Sequence, residues 1–183
     1  MTIPNYITLF RILIVPFFYT ALVYYKPDLD YWRIVAVVLF GTACVSDALD
    51  GFISRKWNLK SELGTFLDPL ADKILLISAF IGLQFSALEP KVPLWILILV
   101  VFRDIFIVAG LLAVYFTTHS VLIKPNILGK ITTFAQMFTI FSALMKFQIV
   151  IWFWFLTAAL TVASGIVYIV REMKRVSHVR PIA

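Results

Sequence analysis

Apolar residues in this chain come in long unbroken runs, separated by short clusters of charge, proline and other polar residues. A helix that crosses a bilayer needs about 20 largely apolar residues, and six segments approach or reach that length. They run from about Ile7 to Tyr25, Trp32 to Ile53, Thr65 to Leu88, Pro93 to Phe116, Ile131 to Met145 and Ile149 to Val170. The fifth is the shortest, which predicts a helix that tilts or extends into its flanks. The runs do not alternate apolar with polar residues, so they predict helices rather than barrel strands. Lys26-Pro27-Asp28, Glu89-Pro90-Lys91-Val92-Pro93 and the stretch from Thr117 to Pro125 mark the connectors.

Composition turns that pattern into a fold class. The 183 residues are 62% hydrophobic and the mean hydropathy is +0.97, against about 45–50% apolar residues in soluble domains. A chain this small cannot hide so much apolar surface within itself. The expectation is one all-α membrane domain over residues 1–183, with six transmembrane helices and no internal repeat or soluble module. The region from Met1 to Phe10 lacks the basic segment of a cleavable signal, so the first run is read as a retained membrane helix. Cys44 is the single cysteine, inside an apolar run, and reads as a packing residue.

Charge then orients the helices. The net charge is +6, and most cations flank apolar runs, as in proteins that meet anionic headgroups; this pattern does not suit nucleic acid. Arg55, Lys56 and Lys60, then Lys124 and Lys130, then Arg171, Lys174, Arg175 and Arg180 fall on one side of a six-span arrangement. That side is expected to be cytoplasmic, with both termini on it.

Four of the ten acidic residues break the habit of the rest: Asp47, Asp50, Asp68 and Asp72. The first pair ends one apolar helix and the second opens the next. Ionisable groups at membrane depth are costly and mark function by default. Spacings of three and four residues put each pair on one helix face. A short basic connector brings the two helices back antiparallel, so both pairs lie at one depth and can converge. Carboxylates crowded together cannot all stay ionised without compensation. Oxygen ligands with no Cys or His nearby suit Mg²⁺ or Mn²⁺, and two such ions would form a phosphoryl-transfer clamp. The competing structural reading has these aspartates capping helices or pairing with Arg55, Lys56 and Lys73.

Together the residues read Asp47-x2-Asp50-Gly51-x3-Arg55-x8-Gly64-x3-Asp68-x3-Asp72. This resembles the signature of the CDP-alcohol phosphatidyltransferase family at every charged and glycine position. Ser54 departs from it, standing where that family usually has alanine. The opening Ile3-Pro4-Asn5-Tyr6-Ile7-Thr8-Leu9-Phe10-Arg11 resembles the start of phosphatidylglycerophosphate synthases and the related cardiolipin synthases. So do Leu67-Asp68-Pro69-Leu70-Ala71-Asp72-Lys73 and Gly129-Lys130-Ile131-Thr132-Thr133 with Gln136.

The resemblance implies a homodimer with its active site at the cytoplasmic membrane interface, in a bacterial inner membrane. It implies Asp47, Asp50, Asp68 and Asp72 as metal ligands and Asp72 as the catalytic base. Asp47, Gly51, Arg55 and Gly64 would bind the CDP moiety of CDP-diacylglycerol. The implied reaction passes the phosphatidyl group to an alcohol by two-metal-assisted in-line attack, releasing CMP. Glycerol 3-phosphate is the favoured acceptor, and Arg11, Arg103 and Lys130 are candidates for its phosphate. Arg103 with Asp104 reads equally well as a buried ion pair. Transfer to phosphatidylglycerol, as in cardiolipin synthesis, is the alternative. A divalent-cation or proton transporter is a further one, disfavoured because the acids gather at one edge and do not line a path. His119 and His178 read as bystanders.

Overall fold

In a computed structural model the backbone is described over residues 3–57, 62–118 and 127–178, and the side chains over 5–51, 67–110, 112 and 127–170. The described chain forms α1 (Ile3–Tyr24), α2 (Tyr31–Trp57), α3 (Glu62–Phe85), α4 (Leu94–Thr118), α5 (Ile127–Leu144) and α6 (Val150–His178). The protein is all-helical. Within α1, α2, α5 and α6, the stretches Asn5–Tyr24, Tyr31–Gly51, Ile127–Leu144 and Val150–Val170 are long and apolar enough to cross a membrane. Helices α3 and α4 have 24 and 25 residues, and α3 carries Asp68, Asp72 and Lys73 in its first half.

Each helix outruns the apolar segment that predicts it on at least one side. Helix α2 continues past Asp50 to Trp57, and α6 continues past Val170 to His178. Asp47 and Asp50 therefore do not end their helix; two further turns follow. The fifth helix extends into its N-terminal flank, starting at Ile127 rather than Ile131. Backbone hydrogen bonding carries a helix beyond the residues that lipid requires to be apolar.

Helix α1 packs most extensively on α2 and α3, α5 packs on α6, and α4 joins α3 to α6. The buried face of α1 runs through Ile14, Val15, Phe18, Ala21 and Leu22, meeting Phe40 of α2 and Leu76 and Phe80 of α3 in one core. The Phe18 and Phe40 rings stand 5.6 Å apart, and Phe80 reaches Trp154 of α6 at 6.0 Å. Large side chains also point outward, among them Phe17, Phe106, Phe134 and Trp152, as expected of helices whose outer faces meet lipid. Hydroxyl groups turn back onto their own helices, as where Thr139 donates to the Ala135 carbonyl and Thr161 to the Thr157 carbonyl. A hydroxyl without water must find such a partner. The Thr139 and Thr157 hydroxyls also meet at 2.8 Å, tying α5 to α6.

Charge fastens the end of the bundle where α1 meets α2 and α5 meets α6. Arg33 donates to Asp30 through Nε at 2.8 Å, and Lys146 donates to the same carboxylate at 2.9 Å. Arg33 also reaches the Leu144 carbonyl at 3.1 Å, so both connectors share one clasp. Lys146 sits at φ 57°. Its N–H donates to the Ala143 carbonyl and that of Phe147 to the Ser142 carbonyl, a left-handed cap on α5 that usually falls to glycine.

Candidate functional site

At its other end the buried stripe of α1 changes character. Asn5, Thr8 and Arg11 occupy the positions that Ile14, Phe18 and Leu22 fill further on, and they too are buried. The three-residue spacing stacks them on one face. Opposite them stand the aspartates of α2 and α3.

Thr8 and Arg11 each join one carboxylate from each neighbouring helix. Arg11 Nη1 lies 3.1 Å from Asp47 of α2 and is hydrogen-bonded to Asp72 of α3. Thr8 Oγ1 lies 2.5 Å from Asp68 of α3 and 3.3 Å from Asp50 of α2. A hydroxyl has one hydrogen, so Thr8 serves only one of its two acids at a time. The other Asp50 oxygen, Oδ1, is buried with no hydrogen-bond partner. Four carboxylates thus gather around a single guanidinium. The expectation that the pairs meet by the return of α3 onto α2 is corrected in one respect: α1 stands between them and carries the links.

This donor set suits a hard divalent cation. It offers only carboxylate oxygens, it holds a formal surplus of negative charge, and Asp50 presents an unmet buried oxygen. As the side chains stand, no group of three or more His, Cys, Asp or Glu among the described residues is arranged to hold an ion. The guanidinium of Arg11 and the hydroxyl of Thr8 take one oxygen of each acid instead.

A second cluster of buried charge begins at the next residue of α3. Lys73 Nζ lies 2.9 Å from Asp104 of α4, and Arg103 Nη1 lies 2.6 Å from the same oxygen. Lys73 also reaches the Thr133 hydroxyl of α5 at 3.3 Å. Arg103 Nε donates to Ser164 of α6 at 3.1 Å, and Gln136 of α5 approaches the second Asp104 oxygen at 3.5 Å. Four helices meet here around one carboxylate. Arg103 thus forms a buried ion pair with Asp104, and Lys73 pairs with Asp104 and not with the four aspartates. Lys130, the third candidate for an acceptor phosphate, is exposed on α5.

Gly51 lies within α2, one residue after Asp50. Arg55 and Gly64 fall in the end of α2 and the start of α3, but their side-chain surroundings, like those of Lys56, lie outside the described residues, as does His119. Sequence reasoning misses Thr8, and it assigns Arg11 to a phosphate and not to the acids. The signal that points to both is the run of polar residues at positions 5, 8 and 11 in an otherwise apolar helix.

A family model described as CDP-alcohol phosphatidyltransferase matches residues 1–167. A Mycobacterium tuberculosis protein named probable phosphatidylglycerophosphate synthase is 32% identical, the match covering 99% of this chain and 86% of that protein. A Bacillus subtilis protein named CDP-diacylglycerol–glycerol-3-phosphate 3-phosphatidyltransferase is 36% identical over 78% of this chain and 76% of its own length. A Drosophila melanogaster protein named probable cardiolipin synthase (CMP-forming) is 32% identical over 94% of this chain and 58% of that protein.

Proposed function

The chain belongs to the CDP-alcohol phosphatidyltransferase family, and from that premise we propose that it transfers the phosphatidyl group of CDP-diacylglycerol to glycerol 3-phosphate. The products are phosphatidylglycerophosphate and CMP. The observation that carries this reading is the drawing together of Asp47, Asp50, Asp68 and Asp72 from two helices around one guanidinium. The names of the M. tuberculosis and B. subtilis relatives support the acceptor.

The family generally uses a divalent metal, and in this chain the four aspartates would hold it, as two Mg²⁺ or Mn²⁺ ions. Held there, such ions would supply positive charge to offset that of the diphosphate and the departing CMP. Asp47, Gly51, Arg55 and Gly64 line the CDP moiety. Asp72, partly exposed at the edge of the cluster, takes the proton of the acceptor hydroxyl. The acceptor oxygen then bonds to the phosphatidyl phosphorus as the bond from that phosphorus to CMP breaks. Of the candidate cations for the acceptor phosphate, Lys130 is exposed, whereas Arg103 is paired with Asp104 and Arg11 with Asp47 and Asp72. Lys73 and Arg103 share one carboxylate between them, which leaves positive charge in excess beside Asp72.

All six helices cross the membrane in this reading, with both termini and the active site at the cytoplasmic face of a bacterial inner membrane, in a homodimer. One substrate keeps its acyl chains in the bilayer while the other arrives from water, so the reaction belongs at headgroup depth. A second reading has phosphatidylglycerol as the acceptor and cardiolipin as the product. The Drosophila relative's name favours it.

Purified enzyme given CDP-diacylglycerol and Mg²⁺ with either acceptor separates the two. CMP release with glycerol 3-phosphate and none with phosphatidylglycerol is expected. Release with phosphatidylglycerol alone would transfer the assignment to cardiolipin synthesis.

A further inference from the structure

We infer that Arg11 is the resident counter-cation of the carboxylate cluster, the group that a divalent cation displaces from Asp47 and Asp72. The inference rests on the metal reading above and assigns a positioning role to a side chain on a third helix.

The guanidinium is fully buried, yet it uses one nitrogen. Nη1 makes both contacts with acids, while Nε and Nη2 are buried with no hydrogen-bond partner. A guanidinium has five donors in a rigid fork, and a buried one normally has them met. Arg103, its side chain 7% exposed, is the internal comparison. It engages Ser164 through Nε and Asp104 through Nη1, as a structural arginine does. Arg11 is held by charge and not by geometry.

Its partners point the same way. Side-chain exposure is 37% at Asp47 and 25% at Asp72, whereas Asp50 is 3% exposed as a residue. Arg11 therefore holds two of the three acids that an incoming ion can reach, the third being Asp68 on Thr8. Without it, the acids would stand together uncompensated, which opposes folding. With it, they are neutralised in part by a group that a doubly charged ion outcompetes. Such a device makes the metal-free fold stable and weakens metal affinity, and both effects come from the same charge.

The test uses the full-length protein in detergent, comparing wild type with R11Q and R11K. Mn²⁺ affinity is followed by calorimetry, and thermal unfolding is followed with and without Mn²⁺. Removing one positive charge at a few ångströms is expected to tighten Mn²⁺ binding by about tenfold or more. Metal-free R11Q should melt lower than wild type, and Mn²⁺ should raise its melting temperature by more than it raises that of wild type. R11K keeps the charge and should bind Mn²⁺ much as wild type does. An R11Q chain that is folded in Mn²⁺ and unfolds on chelation is the same result at its limit.

A merely structural role predicts equal losses of melting temperature with and without Mn²⁺ and an unchanged affinity; that result overturns the inference and leaves the metal reading standing. So does an R11Q chain that fails to fold even in Mn²⁺. A wild-type protein that does not bind Mn²⁺ overturns both.

Discussion

Two clusters of buried charge lie side by side in this bundle, and they are built on opposite plans. Around Arg11 and Thr8, four carboxylates gather with one cation that touches two of them, three of the acids are partly exposed, and buried polar atoms are left unpartnered. Around Asp104, two cations share one carboxylate, and hydroxyls from α5 and α6 accept from those cations. Both place charge inside a largely apolar helical bundle, so burial alone does not tell them apart. Each also leaves a buried oxygen unpartnered, Asp50 Oδ1 in the first and Gln136 Oε1 in the second, so what distinguishes them is the balance of charge. The first cluster has capacity left for a ligand. The second ties α3, α4, α5 and α6 together, with positive charge in excess. Asp72 and Lys73 are neighbours in sequence yet serve different clusters, because consecutive helical residues point about 100° apart.

The contrast predicts different failures. Asp72→Asn should abolish chemistry, with turnover reduced by about 10²–10⁴-fold as expected for loss of a general base. Binding of CDP-diacylglycerol and the melting temperature should change little, since the variant also relieves repulsion. CMP release and nucleotide-lipid binding, measured on the same preparation, check this. Full turnover by the variant would break the assignment of Asp72 and with it the first half of the comparison.

Asp104→Asn should instead fail in stability. It leaves Lys73 and Arg103 buried without their shared counter-charge, and removing one partner of a buried pair costs about 3–5 kcal/mol. For a chain of this length, that is a fall in melting temperature on the order of 10 °C. Thermal unfolding in detergent measures it. If the variant melts as wild type does but no longer turns over, the second cluster is a site and not a brace.

Much of this contrast is legible in the amino-acid sequence. The four aspartates announce themselves because acids at helical spacing stand out in apolar runs, and Arg103-Asp104 announces a pair because its members are adjacent. The role of α1 is hidden. Polar residues recur at Asn5, Thr8 and Arg11, but periodicity shows only that they share a face, not which helix that face meets. The partner of Lys73 is hidden for a related reason. Proximity in sequence to Asp72 suggests the acids, whereas its angle around α3 carries it to Asp104. Helix ends are misjudged where the hydrogen-bonded backbone continues into charged residues, so the first acidic pair looks terminal although α2 runs on to Trp57.

A third cluster sharpens the comparison by holding charge constant and changing burial. Asp30 carries two cations, Arg33 and Lys146, the same count as Asp104, but its side chain is 42% exposed. Hydrogen bonds from Arg33 and then Lys146 hold the Asp30 carboxyl well below the ordinary carboxylate range. Its contribution to stability is therefore fully present above the unfolded-state value of about 3.9 and is lost as the pH falls further, through the folded-state value. Water and salt screen such a pair, so Asp30→Asn should cost far less than Asp104→Asn. The difference in melting temperature between wild type and Asp30→Asn should be small and constant from neutral pH to about pH 5, should shrink below about pH 4, and should diminish in high salt. Asp104→Asn should show no comparable salt dependence, because ions do not reach its cations. If both variants cost the same and respond alike to salt, charge count and not burial governs these clusters, and the stability expected of the Asp104 brace loses its physical basis.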